Sequence, residues 1–197
     1  FFGFQWGLQS KDQVVTREID SLHNMTFETL KESDIGFVSM NNQGGDIQPL
    51  DQRMQNDVVV ALIDSGLSID HPELEASIFK NEIECNNGRL QEGKAEDRDG
   101  NGFPGDCMGW DFSTTREVVQ RLVNDSEGHG THLAGVIAAA ANNGQGVTGI
   151  SSRLKLLPLK LYNEDDLKGK PDRKAGSLTH RLAKAMVYAT DMGAKVI

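Results

Sequence analysis

The sequence VVVALI at residues 58–63, followed by Asp64, Ser65 and Gly66, decides the fold. A continuous apolar run rich in β-branched residues is typical of a strand covered on both faces, the usual environment of strands in parallel sheets. The Asp-Ser-Gly that follows consists of turn-forming residues and ends the strand. We therefore expect Asp64 at the C-terminal end of a buried parallel strand.

The segments that follow this strand alternate between helix and strand patterns. Residues 128–142 are small and alanine-rich, which predicts a tightly packed helix, and residues 154–161 predict a second strand. Residues 178–192 predict an amphipathic helix with Gly193 as its C-cap, and residues 194–197 the beginning of another strand. The apolar side of the second helix contains Leu182, Ala185, Met186 and Ala189. This order predicts an α/β fold with sites at the carboxyl ends of parallel strands.

Two regions are predicted along the chain. Residues 1–56 lack a long periodic pattern and form an N-terminal arm, whereas residues 57–197 form the first part of the α/β domain. The pattern at residues 195–197 is that of a core strand without its full length, so we expect the natural polypeptide to continue and the sheet to be incomplete at the C-terminus. The chain starts at Phe1 rather than Met, so a removed leader segment is compatible with the sequence.

Composition and charge exclude some classes of function. The net charge is -9 and the pI is near 5.0, which disfavours nucleic-acid partners because these are bound through basic surfaces. No apolar run approaches the roughly 20 residues of a membrane-spanning helix. The two cysteines, Cys85 and Cys107, flank a polar, turn-rich segment and indicate a disulfide staple; two free thiols are the alternative.

A second polar constellation, DSEGHGTHLAG at residues 125–135, places His129 between two glycines at the start of the alanine-rich helix. The positive end of the helix dipole disfavours a charged imidazole, so we expect a neutral ring that acts as a base. An aspartate at a strand end, such as Asp64, is suited to accept a hydrogen bond from imidazole Nδ1.

A zinc site at His129 and His132 is the alternative for this helix. The two histidines are three residues apart, with glycine and threonine between them. The zinc peptidase pattern H-E-x-x-H instead needs a spacing of four and an intervening glutamate. We therefore disfavour zinc and expect His132 to be a buried, hydrogen-bonded core residue.

Together, VALIDSG at residues 60–66 and HGTHLAG at residues 129–135 resemble the Asp and His signatures of the subtilisin-like serine proteases, in that family's chain order. Shorter matches are HPEL at residues 71–74, GVTGI at residues 146–150 and QWGL at residues 5–8. The resemblance implies a three-layer, doubly wound parallel sheet of subtilisin-like type. It also implies a serine endopeptidase with an Asp-His-Ser triad that acts on polypeptide substrates.

Within that triad, the resemblance assigns Asp64 to orient His129 and His129 to act as general base. The family's nucleophile lies in a Gly-Thr-Ser motif and an asparagine helps to hold the oxyanion, but neither motif occurs in these 197 residues. We expect both in a missing C-terminal portion, and this chain alone to be inactive. The non-enzymatic alternative is a pseudoprotease or a calcium-dependent interaction module.

The loop DRDGNG at residues 97–102 spaces oxygen ligands two residues apart and predicts a structural calcium site. Its candidate ligands are Asp97, Asp99, Asn101 and Asp106. An EF-hand is excluded because Met108 stands where its final glutamate is required. A solvated acidic turn is the alternative.

A second calcium position follows only from the resemblance, which implies Glu73 and Asn143 as ligands. A helix-capping role for Asn142 or Asn143 is the alternative there. The charged residues 163–174 lie where the family has an edge strand that pairs with substrate; a solvated loop is the alternative. The family further implies a secreted, periplasmic or extracellular location, with a propeptide or an inhibitor as a candidate partner.

Overall fold

Two compact units, Phe1–Arg53 and Met54–Ile197, make up the chain in the computed structural model. The structure describes residues 14–19, 23–28, 56–85, 95–115, 124–141, 143 and 145–197. In the first unit, strands β1 (Val14–Ile19) and β2 (His23–Glu28) form an antiparallel pair. The sequence of residues 1–56 has no long periodic pattern and predicts only an arm, so these two strands are additional to the predicted elements. The QWGL segment of this arm lies outside the described residues.

A parallel sheet organises the second unit. It contains β3 (Val58–Asp64), β4 (Trp110–Asp111) and β5 (Leu154–Lys160) in the order β3-β5-β4. Asp64 is paired with Lys160, so both strands end at the same edge of the sheet. Val196 forms a parallel bridge with Val60, which places the C-terminal residues beside β3. The strands predicted at residues 58–63 and 154–161 are confirmed.

Helices cover both faces of this sheet. α1 (His129–Ala138) packs Ala134 and Ala138 against Val60, Leu62 and Leu156 on one face. On the opposite face, helix α3 (Leu178–Asp191) packs its buried residues, which include Ala185 and Ala189, against Ala61, Leu157 and Leu159. Neighbouring residues of a strand point to opposite faces, so one apolar strand supplies both cores. The predicted α/β fold with three layers is confirmed.

Helix α1 is shorter than the predicted span of residues 128–142, because the chain turns to other partners after Ala138. Ala139 is extended, with φ -57° and ψ 145°. The amide of Ala140 donates to the carbonyl of Glu73, and Gly149 donates to the carbonyl of Ala139. The last alanines of the run therefore connect neighbouring segments instead of lengthening the helix.

The buried face of α3 differs from the predicted one. Ala185 and Ala189 are buried as expected, but the predicted core residues Leu182 and Met186 are 38% and 46% exposed. Arg181 and Tyr188 are buried instead, at 1% and 2% exposure. Partners satisfy their polar ends, since Arg181 pairs with Asp166 at 2.8 Å and the Tyr188 hydroxyl donates to Asp106 at 2.8 Å.

The charged segment of residues 163–174 contains no strand in the described structure. It forms the short helix α2 (Glu164–Leu167), and the 3-10 turn Arg173–Ala175 follows. Asn163 caps α2 by accepting hydrogen bonds from the amides of Asp165 and Asp166. The solvated-loop alternative therefore describes this segment better than the edge strand.

Cys85 and Cys107 form a disulfide, which confirms the predicted staple. Both cysteines are buried, at 6% and 0% exposure. The bond closes a loop of 22 residues in sequence, and a closure of this size stabilises the folded state by about 3 kcal/mol through the entropy of the unfolded chain.

Replacing both cysteines, Cys85→Ala with Cys107→Ala, should lower the free energy of unfolding by about 3 kcal/mol because the unfolded chain regains that freedom. Urea denaturation measures this change, and reduction of the unmodified protein should reproduce it. An unchanged denaturation midpoint in both experiments would contradict the stabilising role of the disulfide.

Candidate active site

Asp64 and His129 meet at the carboxyl edge of the sheet. Asp64 is the last residue of β3 and His129 the first of α1. His129 Nδ1 lies 2.7 Å from Asp64 Oδ1, which also accepts a hydrogen bond from the Ser65 amide at 2.7 Å. The Asp64 side chain is 13% exposed, whereas that of His129 is 58% exposed. The carboxylate is thus fixed in place while the ring remains accessible.

The electrostatic setting of His129 differs from the one expected from the helix dipole. The hydrogen bond to Asp64 and the charge of Asp64 raise the pKa of His129 above its ordinary value, with smaller contributions from Asp125 and Glu127. Because the pKa is raised, the imidazolium is favoured. The pair is therefore arranged to stabilise the ring as it gains a proton, which a general base requires.

Gly130 allows the helix and the strand to approach this closely. A Cβ atom at Gly130 would lie 2.1 Å from the carbonyl oxygen of Gly66 and 3.3 Å from Asp64 Cβ. At Gly135, which lies further along α1, a Cβ atom would meet nothing within 4 Å. The two glycines of the HGTHLAG motif therefore have different structural roles.

We expect Gly130→Ala to destabilise the protein by roughly 1–3 kcal/mol, because the backbone of Gly66 must move away from the new methyl group. Gly135→Ala is the matched control and should be neutral or stabilising by up to about 1 kcal/mol, since alanine favours helix. Urea denaturation compares the two. Equal effects of the two substitutions would contradict the close approach at Gly130.

The structure does not support the expectation for His132, because this residue is exposed rather than buried. It begins the second turn of the helix, where its amide donates to the Gly128 carbonyl at 2.9 Å. A zinc site is also not supported, since neither His129 nor His132 belongs to a group of metal-ligating side chains in the described part of the chain. Within the described residues, the carboxylate cluster suited to a metal contains no histidine.

That cluster consists of Glu84, Asp99 and Asp106, which each offer a carboxylate oxygen within 4.8 Å of the others. Two of the predicted calcium ligands, Asp99 and Asp106, are therefore brought together. Asn101 joins them by donating to Asp106 at 2.7 Å, but Asp97 is turned to the amides of Asn101 and Gly102. Sequence reasoning missed Glu84, because it lies outside the loop, next to Cys85.

Hydrogen-bond donors surround the carboxylates of this cluster. Glu84 is fully buried and accepts from the amides of Arg98, Asp99 and Gly105. Asp106, also fully buried, accepts from Asn81, Asn101 and Tyr188. Burial raises the pKa of Asp106 even though these hydrogen bonds lower it. The loop is organised around buried acids that neutral donors already satisfy.

The second predicted calcium position shows the opposite situation. Glu73 is 8% exposed, and its Oε1 accepts from Asn143 at 2.9 Å. Its Oε2 is buried and has no hydrogen-bond partner among the described residues. The capping alternative is not supported for Asn143, because α1 ends at Ala138, although Asn142 lies outside the described residues. An unpaired buried carboxylate oxygen beside an amide fits a hard cation.

The part of the chain that carries this geometry matches a known protein family. The sequence model of the subtilase family matches residues 55–197, which is well over half of the chain. The chain belongs to the subtilase family. The matched range contains both β3 with Asp64 and α1 with His129.

Individual subtilases are similar over parts of the chain. The cell wall-associated protease of Bacillus subtilis is 42% identical over 73 residues, covering 37% of this chain and 7% of that protein. Subtilisin-like protease 1 of Plasmodium vivax is 33% identical over 108 residues, covering 55% and 16%. Thermitase of Thermoactinomyces vulgaris is 25% identical over 138 residues, covering 70% and 35%. The chain thus spans about a third or less of each relative.

A solved structure is also similar: fervidolysin of Fervidobacterium pennivorans, a keratinolytic enzyme related to subtilisin. It matches with a TM-score of 0.49 and 24% identity over 77% of this chain and 18% of that one. In the described part of this subtilase, no helix has both the length and the apolar character needed to cross a bilayer.

Proposed function

We propose that this subtilase chain supplies the aspartate and histidine of a serine endopeptidase. The observation that carries the proposal is the 2.7 Å contact between His129 Nδ1 and Asp64 Oδ1 at the carboxyl edge of the sheet. In this arrangement Asp64 fixes the tautomer of His129, so that Nε2 is left to exchange protons with a serine. Family membership supports a serine peptidase over a zinc enzyme.

No Gly-Thr-Ser occurs in these 197 residues. In this proposal the catalytic serine therefore belongs to polypeptide outside them. His129 would accept its proton as the serine attacks the peptide carbonyl, and would return the proton to the leaving amine. Without that nucleophile no acyl-enzyme forms, so we propose that residues 1–197 alone are inactive. Polypeptides are the substrates, and a propeptide or an inhibitor is a candidate partner.

An extracellular or periplasmic location is part of the proposal. The disulfide between Cys85 and Cys107 supports it, since such bonds persist in oxidising compartments. The net charge of -9 disfavours a nucleic-acid partner, because such partners are bound through basic surfaces.

A serine-directed fluorophosphonate should label the full-length protein, and His129→Ala should abolish the labelling because the serine loses its base. His132→Ala is the matched control and should leave labelling intact, since this exposed histidine lies one turn further along α1. Full-length protein that folds but resists both the probe and peptide substrates would support the pseudoprotease alternative instead. Labelling that survives His129→Ala would contradict the role of His129.

We also propose that calcium stabilises this domain without taking part in its chemistry. Glu73 and Asn143 would hold one ion, because Glu73 Oε2 is buried and no described residue donates a hydrogen bond to it. Glu84, Asp99, Asn101 and Asp106 would hold a second ion by exchanging some of their present hydrogen bonds for contacts to the metal. Asp97 would shape the loop by accepting hydrogen bonds from the amides of Asn101 and Gly102. The bound ion would supply positive charge that offsets the repulsion between these carboxylates.

Thermal unfolding in calcium separates the two positions. A ligand at about 100 times its Kd stabilises the folded state by about 2.7 kcal/mol, so Tm should rise with added calcium. Glu73→Gln keeps the bond to Asn143 but removes the charge, and should reduce the rise. Asp99→Asn should reduce it independently if the loop binds an ion. A Tm that calcium leaves unchanged in the unmodified protein would exclude both sites.

A further inference from the structure

Asp125 lies four residues before His129 and accepts hydrogen bonds from two segments of the chain. Its Oδ1 accepts from the Ser65 hydroxyl at 2.8 Å and from the Gly128 amide at 2.9 Å. Its Oδ2 accepts from the amide and the hydroxyl of Thr131, at 2.8 and 2.7 Å. Ser65 follows Asp64, whereas Thr131 is the third residue of α1. One carboxylate therefore contacts both the strand end and the helix start.

The two hydroxyls that donate to Asp125 also accept across the gap between these segments. The Gly130 amide donates to Ser65 Oγ at 3.0 Å, and the Ser68 amide donates to Thr131 Oγ1 at 3.0 Å. A hydroxyl has one proton to donate, so donating it to Asp125 turns the oxygen lone pairs towards those amides. The start of α1 therefore donates one hydrogen bond to the segment that follows β3 and accepts one from it. Asp125 accepts the protons of both hydroxyls that take part.

We propose that Asp125 is a positioning residue that holds Asp64 and His129 in register through Ser65 and Thr131. This inference rests on the proposed peptidase function, because the pair it aligns is the proposed base and its orienting carboxylate. Asp125 acts on residues adjacent in sequence to the pair: Ser65 adjoins Asp64, and Gly130, whose amide binds Ser65, adjoins His129. Its effect is to fix geometry, and it makes no contact with a substrate in this role.

The charge of Asp125 has a second effect on the site. Burial raises the pKa of Asp125, but hydrogen bonds from Thr131, Ser65 and Gly128 outweigh burial and lower it, so the group is ionised. The charged groups around His129 are Asp64, Asp125 and Glu127, and each raises the pKa of its ring. Tyr162 lies beside Ser65, and its hydroxyl stays neutral because burial and the nearby carboxylates raise its pKa.

The test compares Asp125→Asn with Glu127→Gln in the full-length enzyme on a peptide substrate. Asparagine replaces one accepting oxygen of Asp125 with an NH2 group, which cannot accept the hydrogen bonds that Ser65 or Thr131 donates. The substitution therefore removes both the negative charge of Asp125 and one of its links between the two segments. We expect kcat to fall roughly 10–100-fold with KM within about twofold, since misplaced catalytic groups lower the rate rather than binding. The acid limb of the kcat/KM profile should move to lower pH, because His129 loses a neighbouring negative charge.

Glu127→Gln also removes a negative charge that raises the pKa of His129, but Glu127 is exposed, and none of the described hydrogen bonds involves its side chain. It should move the acid limb in the same direction with kcat nearly unchanged. Fluorophosphonate titration normalises kcat to the competent fraction, which removes any effect of poor folding. Equal kcat in the two variants after this correction would overturn the positioning role.

Amide hydrogen exchange on residues 1–197 supplies a readout that does not depend on activity. The amides of Ser68 and Gly130 should exchange faster in Asp125→Asn than in Glu127→Gln, because their acceptor hydroxyls lose orientation. If Asp125→Asn does not fold, Ser65→Ala tests the same connection. It should accelerate exchange of the Gly130 amide and leave that of the Ser68 amide unchanged. Unchanged exchange would overturn the inference. Absence of peptidase activity in the unmodified enzyme with accelerated exchange in the variant would instead overturn the proposed function.

Discussion

The close approach between the start of α1 and the end of β3 is the constraint on which the site depends. A Cβ atom at Gly130 would come within 2.1 Å of the Gly66 carbonyl oxygen, so the backbone can pass there only as glycine. This approach brings His129 to Asp64 at 2.7 Å. The sheet stabilises this approach, because β3 is paired with β5 along its whole length. The helices α1 and α3 pack on the small and branched residues of β3 from its two faces.

Much of the fold is readable from residue patterns. The apolar run at residues 58–63 predicts a doubly covered strand, and helices do cover it on both faces. The buried face of α3 was predicted incorrectly, because hydropathy alone cannot favour Arg181 and Tyr188 over Leu182 and Met186. Their burial depends on Asp166 and Asp106, which are distant in sequence. The same limitation applies to the end of α1, where Glu73 and Gly149 compete for the backbone.

The polar sites also contain residues that the sequence predicts and residues whose role only the folded structure reveals. Asp64 and His129 could be paired from the sequence because each belongs to a recognisable local motif. Glu84 could not, since its role appears only when the amides of Arg98, Asp99 and Gly105 fold around it. Asp125 belongs to the same class, as its function depends on two hydroxyls from different segments. Neither spacing nor residue type reveals such connections before the chain is folded.

Our central claim is that residues 1–197 of this subtilase fold with Asp64 paired to His129 in the absence of the proposed catalytic serine. A pH titration of the His129 ring by NMR on residues 1–197 tests it most directly. The account predicts that the pKa of His129 lies above its ordinary value and that Asp64→Asn lowers it, because the hydrogen bond and the charge of Asp64 are the main causes of the shift. A ring that titrates as an ordinary exposed histidine, unchanged by Asp64→Asn, would contradict the claim.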